Sequence, residues 1–82
     1  MVHVDGNAAA GILREVFAAE MTAAACVCGH CGAGFALAET HAYVRAPGVV
    51  LRCPDCSGVL LRIVRLREGL SVEMRGVARI EI

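Results

Sequence analysis

Two short turns, Cys28-Gly29-His30-Cys31-Gly32 and Cys53-Pro54-Asp55-Cys56-Ser57-Gly58, constrain this chain more than anything else in it. Each sets two thiols three positions apart, and 21 residues lie between Cys31 and Cys53. A Cys-x-x-Cys turn brings both sulfurs to one side of a tight loop with following backbone N–H groups aimed at them. Small residues after the second Cys leave room for that path. Two such turns supply four thiolates to one ion, at a spacing typical of zinc sites. Zinc suits the set because it accepts sulfur and four-fold coordination. The expected ligands are therefore Cys28, Cys31, Cys53 and Cys56, around one structural Zn²⁺.

A metal staple also answers a size problem. The chain has 82 residues, enough for one domain spanning 1–82 and no second core. Hydrophobic residues reach 57% but aromatics only 4%, with no Trp, so much of the apolar content is Ala and Val. These bury less area per residue than Leu or Phe, and short chains bury a modest share of their surface. Binding at a structural zinc site is worth about 10–16 kcal/mol, comparable with or above the whole stability of a typical domain.

Residues 5–20 read as an amphipathic helix. Asp5 or Asn7 can cap its start, and Ile12, Val16 and Phe17, flanked by Leu13, form an apolar stripe while Arg14 and Glu15 face out. Residues 24–82 read as a β ribbon. Short strands are expected at 24–27, 35–37, 41–45, 49–52, 59–67, 70–75 and 77–82, with Ala46-Pro47-Gly48 and Glu68-Gly69 as turns. The expected fold is thus a small, mostly-β zinc ribbon with one N-terminal α-helix packed on it. On the strand 59–67, Arg65 and Arg67 share one face and Arg62 takes the other. That cluster reads as a solvated outer face, or as a contact for an acidic or phosphate-bearing partner.

The fifth thiol, Cys26, falls on the strand face of Cys28 and reads as a buried non-ligand. His30 lies inside the first turn, pointing to solvent, and His41 reads as a strand residue. Cys28-Gly29-His30-Cys31 also matches the redox tetrapeptide of protein disulfide isomerase. That chemistry needs a helix following the motif to lower the thiol pKa, and no helical pattern follows here. Met1-Val2-His3 could bind copper or nickel through the free amine, backbone nitrogens and imidazole.

Formal charge is balanced, eight basic against eight acidic residues, and all the basic ones are Arg. Residues 1–40 carry a net −3 and residues 41–82 a net +3. The absence of Lys with abundant Ala, Val and Gly is a composition associated with high-GC bacterial genomes. The first twenty residues lack a basic n-region, and Arg14 and Glu15 break any apolar h-region, so a cytoplasmic, non-membrane protein is expected. In a reducing compartment five cysteines point to metal or redox chemistry rather than to disulfides. A domain without basic excess and with few aromatics favours a protein partner over nucleic acid.

The two turns resemble the knuckles of zinc ribbons. More closely, the whole chain resembles a family of short actinobacterial proteins known only as a domain of unknown function. The resemblance rests on Val4-Asp5-Gly6-Asn7-Ala8, a helix with Glu15 and Phe17, Cys28-x-x-Cys31-Gly32, Ala46-Pro47-Gly48, Arg52-Cys53-Pro54-x-Cys56 and Arg75-Gly76-Val77. It implies a fold and no activity. A weaker likeness is to the zinc domain of hydrogenase nickel chaperones, which pair two Cys-x-x-Cys turns with an N-terminal His. Those begin Met-His-Glu, whereas here the His is His3 and no Glu follows it. The expected function is a non-catalytic zinc-binding ribbon that serves as a protein-interaction accessory module. The alternatives are a nucleic-acid-binding ribbon, nickel or zinc handling, and a thiol oxidoreductase using Cys28 and Cys31.

Overall fold

Alternation along the longest strand sets the architecture. In Val59–Leu66, Leu61 and Ile63 are buried while Arg62 between them is exposed, the period of a strand with one covered face. Its neighbour Gly48–Arg52 repeats the pattern with Val49 and Leu51 inward. A computed structural model describes residues 3–45 and 47–81. Its elements are β1 (Val4–Asp5), a 3₁₀ turn (Gly6–Ala9), α1 (Ala10–Phe17), β2 (Ala25–Cys28), β3 (Gly34–Ala36), a second 3₁₀ turn (Leu37–Glu39), β4 (His41–Arg45), β5 (Gly48–Arg52), β6 (Val59–Leu66), β7 (Gly69–Glu73) and β8 (Val77–Glu81).

The strands form two sheets, one of five strands in the order β1-β4-β5-β6-β7 and one of three in the order β3-β2-β8. Every pairing is antiparallel. Ala42, Val49, Leu51, Leu61 and Ile63 line the inner face of the larger sheet, and Leu13, Met21, Ala24, Cys26 and Leu37 pack against them. Leu13 is the fully buried side chain of α1, and burying a leucine contributes about 1.5–3 kcal/mol. This is a small, mostly-β, zinc-ribbon-like fold with one N-terminal helix.

The expected helix over 5–20 divides in two. Asp5 does cap, its Oδ1 accepting from the Asn7 N–H at 3.0 Å, but what it caps is the 3₁₀ turn. The α-helix then covers Ala10–Phe17 and stops at Ala18, which adopts the left-handed φ of 55°. No glycine marks that stop, so the sequence pattern ran on past it. The stripe also centres on Leu13, with Ile12, Val16 and Phe17 only partly buried around it. At the expected strand 35–37, Leu37 instead opens the second 3₁₀ turn and drops fully into the core.

The last strand departs from the meander. After β7 the chain crosses the start of β6 and joins β2 of the other sheet. Gly76 makes this crossing: its N–H donates to the Leu60 carbonyl at 3.1 Å. A Cβ at Gly76 would sit 1.8 Å from the Val59 carbonyl oxygen, so only glycine fits there without displacing backbone. Among the described residues, no helix is long and apolar enough to cross a membrane.

Candidate metal centre

Both cysteine turns grow from strands that break register just before the first cysteine. In the β2–β8 pairing the shift falls between Val27 and Cys28, and in β5–β6 between Leu51 and Arg52. Such irregularities bend a strand and re-aim its side chains. The two turns are then built alike. The Gly32 and Ser57 N–H groups donate to the carbonyls of Cys28 and Cys53, each at 3.0 Å. The Cys28 and Cys53 N–H groups donate to the carbonyls of Ala33 and Gly58, each at 2.9 Å. Gly32 and Ser57 occupy equivalent places with φ of 80° and 64°, left-handed conformations that a glycine tolerates and a serine adopts at a cost.

These loops bring the four expected sulfurs together. Those of Cys28, Cys31, Cys53 and Cys56 all lie within 4.8 Å of one another and could hold a metal ion. Cys28 to Cys56 and Cys31 to Cys53, both between turns, measure 3.7 Å. Four sulfurs about 2.3 Å from a central zinc stand about 3.8 Å apart in a tetrahedron, so the set fits a four-coordinate, sulfur-seeking ion. Backbone N–H groups face the same sulfurs: His30 donates to Cys28 at 3.3 Å, Asp55 to Cys53 at 3.4 Å and Gly58 to Cys56 at 3.4 Å. Cys28 and Cys53 are buried and Cys31 and Cys56 exposed, so the cluster sits at the surface with one sulfur of each turn inward.

The thiols respond strongly to one another. Burial pushes Cys28 up, but backbone N–H groups of Cys31 and His30, with the Cys56 and Cys31 thiols, outweigh it and bring it down to about 6. At Cys31 the Ala33 N–H pulls downward, yet burial and the Cys53, Cys56 and Cys28 sulfurs together prevail and push it up to about 12. At Cys56 the Gly58 N–H likewise pulls downward, as does the Cys31 thiol, and burial with the Cys28 and Cys53 sulfurs raises the thiol all the same. Sulfurs this close cannot all ionise unaided. A cation that binds them displaces their protons.

The remaining candidates go elsewhere. Cys26 is fully buried in the main core, outside the four-sulfur cluster, and burial raises its pKa. His30 swings away from the sulfurs: its Nε2 lies 3.1 Å from the Val59 carbonyl, and its ring would collide at 2.5 Å with a Cβ at Gly58. Gly58 thus serves both turns, a role its sequence position did not reveal. His41 stacks on His3 with ring centroids 3.9 Å apart. The amino-terminal metal site needs Met1 and Val2, which lie outside the described residues. After Cys31 the chain passes through Gly32 and Ala33 into β3, so the helix that activates thioredoxin-type thiols does not follow it.

The chain belongs to the family of unknown function DUF6510, which matches residues 1–82. No curated protein and no solved structure matches it.

Proposed function

We propose that this DUF6510 member is a non-catalytic zinc ribbon in which Cys28, Cys31, Cys53 and Cys56 hold one structural Zn²⁺, and that it works as an accessory interaction module. The carrying observation is the pair of turns with matching backbone hydrogen bonds whose four sulfurs lie within 4.8 Å of one another, two of the distances between turns being 3.7 Å, close to the tetrahedral spacing. Four protein thiolates close the coordination shell, and a catalytic zinc needs an open position for water. The zinc would neutralise the mutual repulsion of the thiolates and tie β2 to β5, the strands that carry the two turns. In that role metal binding is folding energy, and the module acts through its surface.

Metal content and melting of the full chain test this. One zinc per chain is expected, with tetrahedral thiolate absorption on cobalt substitution. Chelation or Cys53→Ser should unfold the domain. Purified zinc-free protein with a reducible Cys28–Cys31 disulfide, or an unchanged melt after chelation, would overturn the reading.

A further inference from the structure

The outward face of the five-stranded sheet gathers a set of side chains that scaffold needs do not explain. Strand register places Tyr43 beside Val50, Val50 beside Arg62, and His41 beside Arg52, all on the side opposite Ala42, Leu51 and Leu61. His3 stacks on His41 at 3.9 Å and leans against Tyr43 at 5.7 Å. The Arg52 guanidinium lies 5.7 Å from the Tyr43 ring centroid and donates to the Ser57 carbonyl at 2.9 Å. A concavity of about 550 Å³ opens here, lined by Tyr43, Arg45, Val50, Arg52 and Ser57, a size within the range of small ligand clefts, about 300–1,000 Å³.

Charge is sorted on this face as it is not over the whole chain. Arg45, Arg52 and Arg62 stand on the central strands β4, β5 and β6, while the acids of the same face, Asp5 and Glu73, sit on the edge strands β1 and β7. Asp5 is engaged by the Asn7 N–H, and Glu73 lies 4.0 Å from Arg62. Among the described residues, neither Arg45 nor Arg52 enters an ion pair, whereas Arg65 and Arg79 pair with Glu15 and Glu81. Rings with guanidinium groups around them form the chemistry that binds single strands, where bases stack on aromatic faces and cations follow the phosphates. An acidic peptide would use the arginines but leave the ring platform without a role. Three arginines are also few for a duplex, whose binding rests on many phosphate contacts.

We propose that this sheet face binds single-stranded nucleic acid, with Tyr43 and the His3–His41 stack as the base platform and Arg45, Arg52 and Arg62 as the phosphate contacts. The inference rests on the zinc-ribbon reading, because the second cysteine turn, through the Ser57 carbonyl, holds Arg52 over Tyr43. Chain-averaged charge favours a protein partner; the fold nonetheless sets two arginines without ion pairs among the described residues, Arg45 and Arg52, beside its rings.

Fluorescence anisotropy of the zinc-loaded full chain with short labelled oligothymidylate and oligouridylate, over a salt series, tests it. Saturable binding is expected at low salt. Its log–log salt slope should be about −2, since single strands lose about 0.7 per phosphate contacted and three arginines are available. Tyr43→Ala should weaken binding about tenfold or more, Arg45→Gln should flatten the slope, and Arg79→Gln on the smaller sheet should change neither. Zinc content and melting measured on each variant separate lost binding from lost folding. No binding by about 100 µM, the weak limit of nonspecific association, from a chain that carries zinc and melts normally overturns this inference alone. Equal affinity for polyglutamate, or indifference to Arg45→Gln and Tyr43→Ala together, overturns it as well.

Discussion

Arg65 clasps Glu15 across fifty positions of sequence, Nη1 donating to Oε1 at 3.0 Å and Nη2 to Oε2 at 2.6 Å. Leu61, Ile63 and Arg65 follow one another on the inner line of β6, so Arg65 emerges at the end of the core face, beside α1. The solvated outer face expected for this arginine is replaced by a parallel two-bond clamp that ties helix to sheet. Such fork-to-fork pairs add geometric specificity as well as energy.

Acid should loosen that clamp in a defined direction. The Arg65 hydrogen bond holds the Glu15 carboxyl below its ordinary 4.5, so the folded chain binds this proton less readily than the unfolded one. The contribution is complete above the ordinary carboxylate range and is lost as pH falls through the lower folded value. Both groups are half exposed, so the effect is modest and salt-sensitive. Urea melts of Glu15→Gln between about pH 3 and 6 should show a flatter acid slope than the parent; an identical slope would remove the pair from the pH dependence.

Two glycines of the N-terminal segment should respond oppositely to alanine. A Cβ on Gly11 meets nothing within 4 Å, and the position is inside α1, so Gly11→Ala should stabilise by about 0.5–1 kcal/mol and raise Tm by about 2–8 °C. A Cβ on Gly6 would lie 1.8 Å from the Leu37 carbonyl oxygen. Gly6→Ala should therefore cost about 1–3 kcal/mol or more, read from the same thermal melts.

The equivalent residues Gly32 and Ser57 offer a matched pair. Ser57→Gly relieves a left-handed serine while adding freedom to the unfolded chain, for a net gain of at most about 1 kcal/mol. Gly32→Val forces a branched side chain into φ of 80° and should cost about 2 kcal/mol or more. Competition with a chromogenic chelator should show zinc retention unchanged or improved in the first and reduced in the second.

Cys26 should behave as a core residue. Cys26→Ala leaves the four-sulfur cluster whole, so zinc stoichiometry should stay at one while stability falls by on the order of 1 kcal/mol. Native mass spectrometry beside thermal melts checks this, and loss of zinc from Cys26→Ala would give that thiol a ligand role.

The cysteine cluster was legible from sequence because its information is local. Spacing within each turn, and the small residues Gly32, Ser57 and Gly58 after it, specify a loop that aims two sulfurs one way wherever the loop is placed. The strands 41–45 and 49–52 were legible for the same reason, with alternation on both sides of a Pro-Gly turn. What tertiary structure alone decided is non-local. Helix α1 ends at Ala18, a non-glycine residue in the left-handed region, and no local signal records that stop. β8 leaves the meander for β2 because Gly76 lets backbone pass against Val59, and a close approach of two distant segments leaves only a glycine in the sequence. The facing of Arg65 toward Glu15, and of Arg52 toward Tyr43, follows from which strands became neighbours. Residue types and their spacing determine what a turn can ligate; pairing between distant strands determines which charges are spent inside the fold and which remain on its surface.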